Sequence, residues 1–179
     1  MLATPDPYTV LPQAPVFTLR SNDIAEGRDM PVAQRSPAMG GPGNDESPHL
    51  VWEGFAPGTR SFAVTCFDVD APTGSGFWHW AVYNLPGSVT ELSTGAGAPG
   101  GAGLPAGAKT VHNDGRQKQY MGAAPPPGTG THRYIFAVHA LDVDSLDIEE
   151  GSTPAWLNFH FLGHTLGRAT LTAVCTAAD

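Results

Sequence analysis

Two aspartates, Asp68 and Asp70, close an apolar run, and His79 follows them across a short turn rich in proline and glycine. A second histidine, His132, stands just after the triple proline Pro125-Pro126-Pro127 and two residues before Tyr134. Carboxylates beside imidazoles can serve four purposes. As scaffold, the aspartates would cap backbone amides in the turn while neighbours satisfy the histidines. As a first shell, two histidines and two carboxylates could hold a metal, yet no tight ligand spacing supports one, and neither metal nor cofactor is expected. As catalysts, an Asp/His pair could work as acid and base, a weak hydrolase on His79 and Asp68. No GxSxG elbow is present and no serine is tied to either histidine by a motif, so no residue is assigned a catalytic role. As an anion pocket, donor-bearing imidazoles and glycine-turn amides would hold a phosphate or carboxylate. The nearby carboxylates would then raise the histidine pKa values by opposite charge. Asp68 would accept from an amine or hydroxyl of the same ligand, as a phosphoethanolamine head offers.

These side chains must be carried by strands. In residues 61–70, Phe62, Val64, Cys66, Asp68 and Asp70 alternate with Ala63, Thr65, Phe67 and Val69, the period-two pattern of a strand. Strand geometry held to its end would point Asp68 and Asp70 to one side. Pro72 stops the ladder and Thr73-Gly74-Ser75-Gly76 makes the turn. The return run from Phe77 to Leu85 puts His79 on one face with Ala81 and Tyr83, and Trp78, Trp80 and Val82 on the other. Residues 134–141 form another strand, with His132 and Tyr134 sharing a face with Phe136, Val138 and Ala140. The triple proline, without amide donors, forms a stiff wall.

Elsewhere, Val16–Leu19 and His49–Trp52 read as strands, and a strand entry is expected near Val32. Thr153-Pro154 is a helix start. From it Trp156, Phe159, Leu162, Leu166, Ala169 and Ala173 step by three or four. That spacing predicts one C-terminal amphipathic helix of about five turns. His160 and His164 on it, lacking an HExxH glutamate, read as surface histidines.

The chain of 179 residues fits one domain, 1–179. Residues 1–14 form a Pro-rich extended arm, and the uncharged stretch 93–107 reads as a flexible Gly/Ala/Pro loop, with a lid over the pocket as the functional alternative. With 22 glycines, 17 prolines and only 15% charged residues, a β-rich domain with many turns is expected. A net charge of −8 disfavours nucleic acid and anionic membranes, and no apolar run is long enough to span a bilayer. No signal peptide is visible. Cys66 and Cys175 have neither metal nor redox spacing and are expected as reduced thiols of a cytoplasmic protein.

The blocks DVDAPT (68–73), FWHWAVYNLP (77–86) and GAAPPPGTGTHRYIFAVHAL (122–141) resemble the two signature blocks of the phosphatidylethanolamine-binding protein (PEBP) family, in particular its bacterial Raf-kinase-inhibitor-like branch. The resemblance covers residues 15–176. It implies a mostly β fold, a large central antiparallel sheet packed with a smaller sheet and peripheral helices. It also implies a small pocket for phosphate, acetate or phosphoryl head groups. By position, Asp68, His79 and His132 match the family's pocket residues, and Pro125, Pro126 and Tyr134 its wall. Gly122 matches the amide-bearing turn, and Asp70 the second aspartate of the block. Two departures stand out: Val69 replaces the proline of the family's DPD, and Ala123-Ala124 follows Gly122 where the family has Gly-x-Gly. The expected function is non-enzymatic binding of a small anionic or phosphorylated ligand, coupled to regulation of a kinase or other signalling protein. The rival is a kinase or protease inhibitor acting through surface loops. The resemblance also implies a homodimer.

Overall fold

The computed structural model describes residues 4–177. In chain order its strands are β1 (Thr18–Arg20), β2 (Leu50–Glu53), β3 (Ser61–Asp68), β4 (Phe77–Pro86), β5 (Glu91–Leu92), β6 (Lys109–Thr110), β7 (Thr131–Leu141) and β8 (Thr165–Thr176), with one α-helix, α1 (Pro154–Phe161). The alternating run around Cys66 becomes β3, and all of its residues are buried because both faces of the sheet are covered. It lies at the centre of a five-stranded antiparallel sheet, order β6-β4-β3-β7-β8, and a three-stranded sheet, order β1-β2-β5, packs on it.

The main core fills the space between the sheets: Leu19, Leu50, Trp52 and Leu92 from the small one meet Phe62, Val64, Trp80 and Phe136 from the large one. Phe62 packs edge-on against both Trp52 and Phe55, with centroids 5.4 and 4.8 Å away. Cys66 and Cys175 are free thiols buried in this layer. On the far face of the large sheet, Ala63, Ala81 and Leu141 are covered by Leu157 and Phe161 of α1 and by Leu146 and Ile148.

The C-terminal helix is present but shorter than its spacing predicts. Thr153 caps it, its hydroxyl accepting from the Trp156 amide at 3.2 Å, and Pro154 occupies the first turn. After eight residues the helix passes through a 3-10 turn, Leu162–His164, into β8. Ala169, Leu171, Ala173 and Cys175 also alternate with Thr170, Thr172 and Val174, and this second period wins. It lets β8 form an antiparallel ladder along the whole of β7, burying its apolar side and favouring the β-branched threonines. Trp156 and Phe159, expected on the buried stripe, are therefore exposed at 47% and 67%. Near Val32 the chain makes a 3-10 turn, Val32–Gln34, in place of a strand.

Residues 93–107 include a 3-10 turn, Pro99–Gly101. The Gly97 amide donates to Ser47 Oγ, the Tyr120 amide to the Gly97 carbonyl, and the Gly100 amide to the Lys118 carbonyl, all within 2.8 Å.

The N-terminal arm folds back across the far face of the large sheet. Asp6 caps a 3-10 turn, Pro7–Thr9, and the Tyr8 hydroxyl lies 3.2 Å from Thr65 Oγ. Further on, residues 15–30 run along the outer edge of β8. The Arg168 amide donates to Pro15, the Gly27 amide to Thr172, the Met30 amide to Val174, and the Val174 amide to Arg28, at 2.7–2.9 Å.

Candidate functional site

An irregularity in the β3–β4 ladder positions the first histidine. Cys66 pairs with Trp80 and Phe67 with Trp78, so His79 has no partner across the strand. Such a bulge re-aims the extra side chain. Trp78 consequently packs on Phe67, with centroids 4.4 Å apart, whereas Trp80 enters the main core. The two tryptophans thus lie on opposite faces, contrary to the strict alternation expected, and His79 turns toward the end of β3. There it lines a cavity of about 200 Å³ together with Asp68, Phe77, Met121, Ala124 and Pro126. The His79 Nδ1–H donates to the Met121 carbonyl at 2.8 Å, leaving Nε2 as the ring nitrogen free for another partner. Phe77 and Tyr134 flank the ring, with centroids at 4.9 and 5.1 Å.

Asp68 ends β3 and is 3% exposed. Its Oδ2 accepts from His132 Nδ1 at 2.8 Å, and its Oδ1 from the Asp70 amide at 2.9 Å. His132 is fully buried and lies behind the aspartate, outside the cavity lining. Its Nε2 is 2.8 Å from the Thr129 hydroxyl, which donates to the Pro126 carbonyl at 2.6 Å. One chain of hydrogen bonds therefore runs from the proline wall through Thr129 and His132 to the carboxylate.

The other residues singled out in the sequence divide. Pro126 lines this cavity; Pro125 lines a neighbouring one of about 130 Å³, which shares Ala38, Met39 and Ala124 with the first. Tyr134 is buried beside His79, and its hydroxyl has no hydrogen-bond partner among the described residues. Burial, reinforced by the charge of Asp68, pushes the Tyr134 pKa up. The Gly122 amide donates to Asp45 Oδ1 at 2.8 Å. Gly122 is required because a Cβ there would stand 2.3 Å from the Arg35 carbonyl carbon. Val69, which replaces the family's proline, donates its amide to the Arg133 carbonyl at 3.3 Å, a bond that proline lacks the N–H to make.

Asp70 goes elsewhere. The strand ends at Asp68, so the expected same-side projection of the two aspartates fails. Asp70 instead receives Arg133 Nε at 2.7 Å, Nη2 at 2.7 Å and the Arg133 amide at 3.0 Å. The Arg133 hydrogen bonds hold its carboxyl below the usual range. Asp70→Ala should lower stability by about 1–3 kcal/mol while leaving phosphate affinity unchanged, as thermal unfolding and a ligand titration on the same variant would show.

At His79 the electrostatics run against the expected rise in pKa. Burial lowers the His79 pKa and outweighs the opposing effects of the Met121 carbonyl and the Asp68 charge. Two wall residues carried no sequence signal: Met39, in a left-handed conformation with φ 59°, and Met121. Phe77 was read only as the start of the return strand; its place on the cavity follows from its register opposite Asp68. Among the described residues, no group of three or more His, Cys, Asp or Glu side chains is placed to hold a metal ion.

Residues 20–176 match the family model described as phosphatidylethanolamine-binding protein. The chain belongs to this family. The UPF0098 protein YbhB of Escherichia coli (strain K12) is 46% identical over 156 residues, 87% of this chain and 98% of YbhB. YbcL of the same organism is 39% identical over 162 residues, 90% of this chain and 88% of YbcL. The crystal structure of E. coli YbcL, described as a new member of the mammalian PEBP family, superposes with a TM-score of 0.86 at 38% identity, covering 89% of this chain and 97% of that one. The fold anticipated for a PEBP-family chain, a large antiparallel sheet carrying a smaller one, is the fold observed. Among the described residues of this family member, no helix is long and apolar enough to cross a membrane.

Proposed function

We propose that the Asp68–His79 cavity binds a small phosphorylated head group: inorganic phosphate or a phosphoethanolamine-like ester. The observation that carries this reading is the pairing of opposite hydrogen-bonding roles on one small cavity. With Nδ1–H committed to Met121, His79 Nε2 donates to an anionic oxygen once the ring takes up a second proton, and Asp68 can only accept. A ligand satisfying both must carry negative charge and a donor, as a protonated phosphate or an ammonium-bearing phosphoester does. The volume, about 200 Å³, suits a head group and is too small for acyl chains. His132 and Tyr134 act from behind, His132 by fixing the rotamer of Asp68. Pro125 belongs to the adjoining wall, and Gly122 holds the Met121–Ala124 segment against Arg35 and Ser36.

Binding without turnover is the favoured chemistry. Thr129, His132 and Asp68 do form a hydroxyl–imidazole–carboxylate series. The Thr129 hydroxyl donates to the Pro126 carbonyl, however, and neither it nor His132 lines the cavity, so the series presents no nucleophile to a ligand there. The test is a titration with inorganic phosphate and with O-phosphorylethanolamine, followed through the histidine ring NMR signals. Saturable shifts are expected at His79, with smaller ones at His132 relayed through Asp68; silence at both removes the proposal.

The same titration has a predicted pH dependence. In the free protein burial keeps the His79 pKa low, and a bound anion stabilises its protonated form. Binding should therefore take up a proton, and affinity should fall as pH rises. His79→Ala should flatten that profile and weaken binding by roughly tenfold or more, the scale of one charge-assisted hydrogen bond.

A further inference from the structure

On the far face of the large sheet a cation is buried without a direct ion pair. Arg168 of β8 is 7% exposed. Its one side-chain hydrogen bond runs from Nε to His139 Nδ1 at 3.4 Å. Among the described residues it forms no salt bridge. Buried charges are normally paired. The Tyr8 ring covers the guanidinium at 5.3 Å, which stabilises it without neutralising it. Nη1 and Nη2 have no protein partner among the described residues, yet neither is sealed from solvent. Arg168 lines a cavity of about 200 Å³ between the N-terminal arm and β8, together with Asp6, Thr9, Gln13 and Thr170.

Asp6 places the opposite charge on the same cavity without reaching Arg168. Its Oδ1 is held by the Tyr8 amide at 2.8 Å as the cap of the 3-10 turn, so the carboxylate is fixed in place. A planar guanidinium on one wall matches a carboxylate through two parallel hydrogen bonds. A carboxylate on another wall accepts from an ammonium. The volume corresponds to about six or seven waters at ~30 Å³ each, enough for a small amino acid.

We propose that this cavity is a second ligand site, distinct from the Asp68–His79 cavity, which takes a small zwitterion of the free amino acid type. Arg168 receives its carboxylate and Asp6 its ammonium, while the Thr9 hydroxyl is already engaged, donating to the Asp6 carbonyl at 2.7 Å.

The test is a set of NMR titrations of the full chain with L-alanine, acetate and ethylammonium. The Arg168 Nε–H and Tyr8 ring signals report this cavity, and the His79 ring signals report the other. Alanine should shift Arg168 and Tyr8 saturably and leave His79 in place, with acetate binding roughly tenfold more weakly. Asp6→Asn keeps the turn cap and should reduce alanine to the affinity of acetate. Arg168→Gln should abolish binding of both; if that variant does not fold, the wild-type and Asp6→Asn titrations decide alone. No saturable shift with alanine, equal affinity for alanine and acetate, or shifts confined to His79 would each overturn the proposal.

Discussion

Stability should fall steeply as the pH drops from about 6.5 toward 3, and His139→Gln should flatten much of that fall. His139 of β7 is fully buried. The aromatic rings of Tyr8 and Phe161 lie against it, at centroid distances of 5.9 and 4.4 Å, and the Arg168 guanidinium is its one hydrogen-bonding neighbour. Burial first, and the positive charge of Arg168 second, push its pKa down from 6.5 to about 3. The folded state thus binds the proton less readily than the unfolded chain. The contribution is complete above pH ~6.5 and is lost progressively as the pH falls to ~3. At ~1.4 kcal/mol per unit the loss is several kcal/mol, comparable with the whole stability of a small domain. His79, also held low by burial, acts in the same direction. Asp70, whose carboxyl is held down by Arg133, adds a loss only at more acid pH. Urea unfolding of wild type and His139→Gln at about pH 7 and pH 4 isolates the His139 share, because glutamine keeps an acceptor for Arg168 Nε without a titrating proton. Equal pH slopes in the two proteins would contradict it.

Gly122→Ala should cost about 3 kcal/mol or more and disable ligand binding at a residue whose amide is already spoken for. The added methyl would meet the Arg35 carbonyl carbon at 2.3 Å, the Ser36 nitrogen at 2.5 Å and the Arg35 oxygen at 2.6 Å. These are backbone atoms, which have no rotamer to retreat into, so overpacking lies at the upper end of its usual range. The clash would prise apart two strand-like segments joined by Ser36 N–H to Ala123 at 2.9 Å and Ala123 N–H to Gln34 at 3.3 Å. Met121, Ala124 and Pro126 hang from the same segment and line the cavity, so phosphate affinity should fall with stability. Gly74→Ala is the control: nothing lies within 4 Å of its Cβ position and its φ is not left-handed, so a change within about 0.5 kcal/mol is expected. Thermal unfolding and a phosphate titration on the two variants measure the contrast.

Much of the fold was legible because its central strands are long and alternate cleanly. β3, β4 and β7 could be read from Phe62, Val64 and Cys66 or from Phe136 and Val138 without knowing their partners. Residues 165–176 were harder. Leu166, Ala169 and Ala173 satisfy a helical period while Ala169, Leu171, Ala173 and Cys175 satisfy a strand period. The tie is broken by β7, which lies far away in sequence and offers a complete ladder. The site was legible in its residue types but not in its geometry. That His79 sits at a bulge depends on how two strands slip past each other at Cys66 and Phe67, and no local pattern encodes it. Where Asp70 points depends on Arg133, across the sheet. The shift of His79 reflects how deeply the folded chain buries it, whereas neighbouring carboxylates alone suggest the opposite sign. The N-terminal arm carried the weakest signal: nothing in a Pro-rich segment reveals that Tyr8 will meet Thr65, His139 and Arg168.

The lining of β8 by residues 15–30 has a consequence for self-association. A strand of twelve residues at the margin of a sheet offers a long row of amides and carbonyls, a template on which foreign chains can polymerise. Here the chain's own beginning occupies that row, through Pro15, Gly27, Arg28 and Met30. Detaching this strip would uncover the row only by also pulling β1 out of the small sheet and Phe17, Leu19, Ile24 and Met30 out of the main core. The edge is therefore exposed only in a molecule that has lost much of its packing. Two such molecules could then exchange strips, or grow edge to edge into aggregates.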